Sequence, residues 1–314
     1  MKSQCSGQHP DKATSIWCSL GTNHRSFQRR IAHGVLLPSH LPASRTYCGL
    51  VLSPGEEPKP SVAPLPYSSE SYSPHLSVRW GMPEALLAVS LIAASGFLLP
   101  ALVRAAPPAF TYPVAFIGNL LGYGCTLLVV VFASRRRGLR QLSRDFGFVI
   151  KRADLGTGAA IAAGMLLFIG LVSAVLRHSG ALAQPPSPVA SPLIWIVLLQ
   201  GLVGVAIAPI VEELTLRGLL MRAIRNAILR RRPAAERTAE IAINTSIIIS
   251  AAAFAGLHLH EAHDLYSGVS VGVETFIFGL VAGWVATRTG RLGATVAAHI
   301  LYNATIFAIM IAAS

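Results

Sequence analysis

The chain has 314 residues, of which 53% are hydrophobic and only 13% are charged, whereas soluble domains carry about 25% charged residues. Together with a mean hydropathy of +0.55, this composition excludes an ordinary soluble globular protein and indicates a multi-pass membrane protein. The formal net charge of +12 does not indicate a nucleic-acid partner, because the basic residues flank apolar segments and have few aromatic residues among them.

The first 81 residues differ in composition from the rest of the chain. They are rich in Ser, Pro, His and Arg and contain no apolar run long enough to cross a membrane. We therefore predict that residues 1–81 form a disordered tail. Two origins are compatible with it. One is a transit-peptide-like segment, because Asp11 is the only acid before Glu56; the other is a spurious extension, with translation starting at Met82.

From Met82 onward, apolar runs follow one another, each close to the roughly 20 residues that a membrane-spanning helix requires. They predict an all-α, multi-pass transmembrane helical bundle. Residues 82–189 supply its N-terminal helices, and residues 190–314 form a second domain that holds the candidate site. The seven predicted spans are Ala85–Val103, Val114–Ala133, Gly156–Val175, Leu193–Val211 (running on to Met221), Ile241–Leu257, Val269–Ala286 and Leu292–Ala312.

Basic residues concentrate in every second loop between these spans. The segments 135–152, 222–237 and 287–291 hold them, whereas the intervening loops hold few. Because cytoplasmic loops of membrane proteins carry the excess of Lys and Arg, this alternation predicts a cytoplasmic N-terminus and an outward-facing C-terminus. We expect an integral protein of the bacterial cell membrane.

Two adjacent acids, Glu212 and Glu213, follow the fourth apolar run directly. A carboxylate inside the hydrocarbon costs about 3 kcal/mol or more, and such residues usually serve a function. Neighbouring side chains point about 100° apart on a helix, whereas Glu213 and Arg217 are four residues apart and share a face. We therefore predict that Glu213 pairs with Arg217 and that Glu212 faces a cavity. The alternative is a helix end at the membrane surface, where such residues are ordinary.

A histidine, His258, closes the fifth apolar run, and Phe254 lies one turn earlier on the same face. This histidine is either buried with its hydrogen bonds satisfied or catalytic. The following cluster of His260, Glu261 and His263 resembles a zinc signature, but its histidines are three residues apart, not four. We interpret that cluster as a solvated loop.

His299 and Asn303 lie in the last span, four residues apart, so both project from one face at a similar depth. Taken alone, they are typical of hydrogen bonding between helices, and Tyr302 is expected to face elsewhere. If the polar residues of the three spans converge, they supply a base for water and donors for an oxyanion, which are the groups that hydrolysis needs.

The residues Glu212, Glu213 and Arg217 (E-E-x-x-x-R), Phe254 and His258 (F-x-x-x-H), and His299 and Asn303 (H-x-x-x-N) resemble the three motifs of the CPBP family. These are the CAAX protease and bacteriocin-processing (Abi) intramembrane endopeptidases. The resemblance covers residues 190–310. It implies that Glu212 and His258 activate a water, that His299 and Asn303 stabilise the oxyanion, and that the remaining motif residues order the site.

The family is named as metalloproteases, but the glutamate mechanism needs no metal. The resemblance therefore implies no certain cofactor; if zinc is used, its ligands would be Glu212, His258 and His299. The implied partners are the lipid bilayer and a membrane-embedded or lipidated substrate, which includes prenylated CAAX-type proteins. Two other functions stay open: a non-catalytic immunity or scaffold protein, and an ion- or proton-coupled transporter.

Overall fold

The structure is a computed structural model that describes residues 78–178, 192–231 and 236–313. Within these ranges the regular secondary structure is helical, without strands. Among the described residues, seven helices are long and apolar enough to cross a membrane, so the predicted all-α, seven-span architecture is confirmed. Most of the predicted disordered tail, residues 1–77, lies outside the described residues.

The helices follow the predicted spans in order, and two short 3-10 turns, Pro108–Phe110 and Leu259–Glu261, precede α2 and follow α6. They are α1 Met82–Ala105, α2 Thr111–Arg137, the short α3 Leu142–Phe146, α4 Arg152–His178, α5 Leu193–Arg231, α6 Glu236–His258, α7 Leu265–Thr289 and α8 Gly293–Ala313.

The long helix α5 carries the two adjacent acids. Glu212 lies at its midpoint and is buried, so the alternative that these acids stand at a helix end is wrong. Two π-helical segments, Val197–Ile207 and Leu214–Leu220, flank the turn that holds Glu212. Such segments interrupt the regular hydrogen-bond pattern of a helix and occur frequently at functional sites.

The helix α5 continues ten residues past the predicted end at Met221, into the basic segment 222–237. Arg222 and Arg225 are buried there and do not lie in a solvated loop. Arg222 donates hydrogen bonds to the backbone carbonyls of Asp145 and Gly290, at 3.5 and 3.1 Å. The sequence conceals this role, because an arginine-rich stretch after an apolar run resembles an ordinary membrane-flanking loop.

The residues directly before α1 belong to the packed bundle. Trp80 is fully buried, and its indole Nε1 donates a 3.0 Å hydrogen bond to Asp145 Oδ1. Ser134 Oγ and the Leu139 backbone nitrogen donate to the same carboxylate. The last residues of the predicted tail, 78–81, therefore help to close the end of the bundle that carries the basic segments, which we call the basic end.

Two acidic residues define helix starts at opposite ends of the bundle. Asp264 caps α7 by accepting a 2.8 Å hydrogen bond from the Ser267 backbone nitrogen. The hydrogen bonds from Ser267 lower the pKa of this exposed carboxyl. At the basic end, Asp154 pairs with Arg291 at 2.6 Å, which ties α4 to the turn before α8 and raises the pKa of the Arg291 guanidinium above its ordinary value.

Candidate active site

A cavity of about 520 Å³ lies inside the bundle and is lined from α2 and from α4 to α8. Glu212, His258, His299 and Asn303 all contribute to its wall. The structure thus brings together the polar residues that the sequence places on three separate spans. The remaining wall is largely aliphatic and aromatic, as in many sites for organic ligands.

Side chains from two helices approach the Glu212 carboxylate. The Tyr123 hydroxyl of α2 donates a 2.9 Å hydrogen bond to Glu212 Oε1. His299 Nε2 of α8 lies 3.9 Å from the other oxygen, Oε2. The Tyr123 hydrogen bond leaves Oε2 available to accept a proton from a water molecule in the cavity.

Glu213 and Arg217 form the predicted ion pair, with Nη1 and Oε1 2.9 Å apart and both side chains fully buried. His299 Nδ1 lies 3.4 Å from the same Glu213 oxygen, so the imidazole sits between the two glutamates. The Glu213 charge is balanced by Arg217. The ion pair lies on the side of His299 that faces away from Glu212.

Phe254 connects the three motifs physically. Its ring centroid lies 4.4 Å from that of His258 and 5.5 Å from that of His299, both with edge-to-face geometry. The Arg217 guanidinium carbon lies 4.4 Å from the same centroid, which is a favourable cation–π distance. The aromatic residue of the second motif therefore orients one side chain from each of the three helices.

The tautomer of His258 follows from its backbone contact. His258 Nδ1 lies 2.9 Å from the Phe254 carbonyl oxygen. A carbonyl can only accept, so Nδ1 carries the hydrogen. In the neutral ring Nε2 is then the acceptor, and a water proton is a suitable partner for it.

Asn303 Nδ2 donates a 2.8 Å hydrogen bond to the Gly204 carbonyl of α5. Gly204 lies in the first π-helical segment, where the regular helical pattern of carbonyl acceptors is altered. The amide group has two N–H bonds, so this contact fixes Asn303 and leaves one N–H for another acceptor.

Several cavity residues were missed by sequence reasoning. Tyr123 gave little signal, because a tyrosine in a span is ordinary. Glu274 gave the same signal as Glu212, an acid inside an apolar span, and could have been found. Tyr302 was expected to face elsewhere, but it lines the cavity and donates a hydrogen bond to Glu274. It lies three residues after His299, which is close to one helical turn.

The loop after α6 also contributes to the cavity wall. His260, Glu261 and His263 are exposed, as the solvated-loop interpretation predicts. Glu261 nevertheless lines the cavity. A second cavity of about 330 Å³ is lined by His260, Glu261 and residues of α1, α2 and α5, and shares Glu212 and His258 with the first. The Glu212 carboxylate and the His258 imidazole therefore line both cavities.

The donor set does not fit a zinc ion in this arrangement. In the part of the chain that the structure describes, no three His, Cys, Asp or Glu side chains are grouped closely enough to bind a metal. The possible ligands Glu212, His258 and His299 share a cavity but do not form such a group. We therefore derive no catalytic step through a metal.

Residues 194–305 match the family model described as Type II CAAX prenyl endopeptidase Rce1-like. The matched segment contains all seven motif residues of α5, α6 and α8. This match covers 112 of the 314 residues and confirms the resemblance to the CPBP family over that segment. No curated protein and no solved structure matches the chain.

Proposed function

We propose that this protein is an intramembrane endopeptidase that hydrolyses a peptide bond of a membrane-associated substrate, with prenylated CAAX-type proteins as one candidate class. The observation that carries the proposal is the shared cavity, in which the family's motif residues from three helices meet. An apolar wall with few polar groups suits a lipidated or membrane-embedded peptide.

The attacking group is a water molecule between Glu212 and His258. Glu212 Oε2 takes a proton from the water while the water oxygen bonds to the carbonyl carbon of the scissile peptide. His258 Nε2 accepts a hydrogen bond from the same water and orients it. When the C–N bond breaks, the departing nitrogen takes the proton that Glu212 holds.

The negative charge that forms on the carbonyl oxygen needs hydrogen-bond donors. Asn303 supplies the N–H that its contact with Gly204 leaves unused. His299 donates from Nε2 in its imidazolium form, because Nδ1 faces the Glu213 carboxylate. Asn303 is held by its hydrogen bond to α5, and His299 Nδ1 lies 3.4 Å from Glu213 Oε1 of the Glu213–Arg217 pair. Donors fixed in advance need little rearrangement in the transition state, and each contributes roughly 10²- to 10³-fold to the rate.

The proposal is tested by cleavage of a fluorogenic peptide with a farnesylated cysteine, using purified full-length protein in lipid nanodiscs. Glu212→Gln removes the base while keeping the shape, so we expect the rate to fall at least about 10³-fold. His258→Ala is expected to fall by a similar factor. His263→Ala is the matched control, because His263 is exposed and lines neither cavity.

Full activity in Glu212→Gln would remove the catalytic assignment. The same assay after complete metal removal addresses the zinc alternative, since unchanged turnover is expected for the glutamate mechanism and lost activity would contradict it. A scaffold or immunity protein predicts a different pattern: no peptide is cleaved, and the Glu212→Gln variant retains its full effect in cells.

A further inference from the structure

Glu274 is an acid in the middle of α7, outside the three motifs. It lies nine residues after the start of the helix at Leu265, which places it about 14 Å along the helix axis. The helix is one of the seven apolar enough to span a membrane. A carboxylate at such a position is costly unless it has a partner or a ligand.

The side chain that orients Glu274 carries no charge. The Tyr302 hydroxyl donates a hydrogen bond to Glu274 Oε1, which fixes the carboxylate on the cavity wall but does not balance its charge. Among the described residues, no Lys, Arg or His forms an ion pair with Glu274. This differs from Glu213, whose charge is balanced by Arg217.

The cavity wall as a whole is acidic apart from two histidines, His258 and His299. Its described wall contains three carboxylates, Glu212, Glu261 and Glu274, and no Lys or Arg. Glu212 has its own role toward water, and Glu261 is exposed on the loop after α6. Glu274 is therefore the half-buried carboxylate that is free to contact a ligand in the same cavity.

We propose that Glu274 forms a subsite for a cationic substrate group, the side chain of a lysine or arginine close to the scissile bond, with Glu261 adding negative charge on the loop side. This inference rests on the proposed function, because it assumes that the cavity binds the substrate. A cation in a largely apolar cavity gains strongly from a fixed carboxylate. An acidic group at the same position would be repelled.

The test uses reporter peptides that differ at one position, scanned along three residues on each side of the cleaved bond. At each position we compare lysine, its uncharged analogue norleucine, and glutamate, with the full-length protein in nanodiscs. At one position we expect kcat/KM for lysine to exceed that for norleucine at least tenfold, with glutamate lowest. Equal rates for the three peptides at every position would overturn the inference.

The variant Glu274→Gln keeps the hydrogen-bond acceptor and removes the charge. We expect its lysine-to-norleucine ratio to fall to within about twofold. The matched control Glu240→Gln removes an exposed carboxylate of α6 that lines neither cavity, and its ratio should equal that of the wild type. An unchanged ratio in Glu274→Gln would assign the preference to another residue and overturn the subsite.

The lysine, norleucine and glutamate peptides test the charge preference in the wild-type protein, even if Glu274→Gln does not fold. Cleavage without any charge preference removes the subsite and leaves the endopeptidase intact. Failure to cleave any peptide of the series contradicts the proposed function itself. The two failures are therefore distinguishable in one experiment.

Discussion

Tyr123 lies outside the matched family segment and contacts the proposed base directly. Its hydroxyl donates to Glu212 Oε1 at 2.9 Å, and hydrogen bonds to charged groups contribute about 1.5 to 3 kcal/mol. We expect Tyr123→Phe to lower kcat by roughly 10- to 100-fold because the base loses its orientation. The peptide cleavage assay measures this change.

The control for this substitution is Tyr266→Phe, which also removes one hydroxyl. Tyr266 is exposed and lines neither cavity, so its variant should keep wild-type kcat. A Tyr123→Phe protein with wild-type kcat would show that Glu212 needs no support from α2.

The Glu213–Arg217 pair makes a distinct prediction about stability. Removing one member of a fully buried ion pair leaves an uncompensated charge and costs about 3 to 5 kcal/mol. Arg217→Met should therefore lower the thermal unfolding temperature strongly. The double variant Glu213→Gln/Arg217→Met removes both charges and should recover part of the loss, as measured in a double-mutant cycle. Additive losses would contradict the pairing.

Single residues were predictable where spacing alone decided the outcome. The four-residue interval between Glu213 and Arg217 predicts their pairing correctly, because helical geometry brings such side chains onto one face. Tyr123 was not predictable, because its contact with Glu212 depends on how α2 packs against α5. Glu274 was within reach, since it breaks an apolar span in the same way as the acids of the first motif.

At the scale of elements, α4 packs closely against the helix that carries His299 and Asn303. A β-carbon at Gly158 would lie 2.7 Å from the Ala297 β-carbon and 2.9 Å from the Ala298 backbone nitrogen of α8. Both distances are too short for packed atoms. Glycine therefore allows the two backbones to approach each other next to the site.

We expect Gly158→Ala to destabilise the protein by about 1 to 3 kcal/mol, the usual cost of an overpacked contact, and to lower the cleavage rate by displacing α8. The measurement is thermal unfolding in nanodiscs together with the peptide assay. Gly164→Ala in the same helix is the control, because no neighbouring atom lies within 4 Å of a β-carbon there. It should be neutral or slightly stabilising, since alanine favours helices, and equal losses in both variants would contradict the packing argument.

The boundaries of α5 show what sequence patterns omit at this scale. Apolar runs predict where a helix crosses the membrane. The helix α5 nevertheless extends into the basic end of the bundle, where the buried Arg222 donates hydrogen bonds to carbonyls of other elements. The two π-helical segments have no sequence pattern of their own. In the first of them, the Gly204 carbonyl accepts a hydrogen bond from Asn303 of another helix, a contact that no local sequence pattern predicts.

At the scale of the molecule, hydropathy suffices to predict seven spans in the right order. The meeting of the three motifs in one cavity depends on how distant helices pack, which hydropathy does not encode. Only the helical spacing within each motif and the resemblance to the family indicated that these residues converge. The cavity's acidic wall is likewise a tertiary property, because its carboxylates come from α5, the loop after α6, and α7.

The orientation of the bundle in the membrane remains a prediction from the basic loops. Short loops rich in Lys and Arg lie on the cytoplasmic side. We therefore expect the loop at Arg140 in the cytoplasm and the loop at His263 outside the cell. In a variant with all four cysteines replaced by serine, Arg140→Cys and His263→Cys are labelled in intact cells with a membrane-impermeant maleimide. Labelling is expected at position 263 alone, and both positions should react once the cells are opened. Labelling of position 140 alone would reverse the topology and place Glu261, with its side of the cavity, toward the cytoplasm.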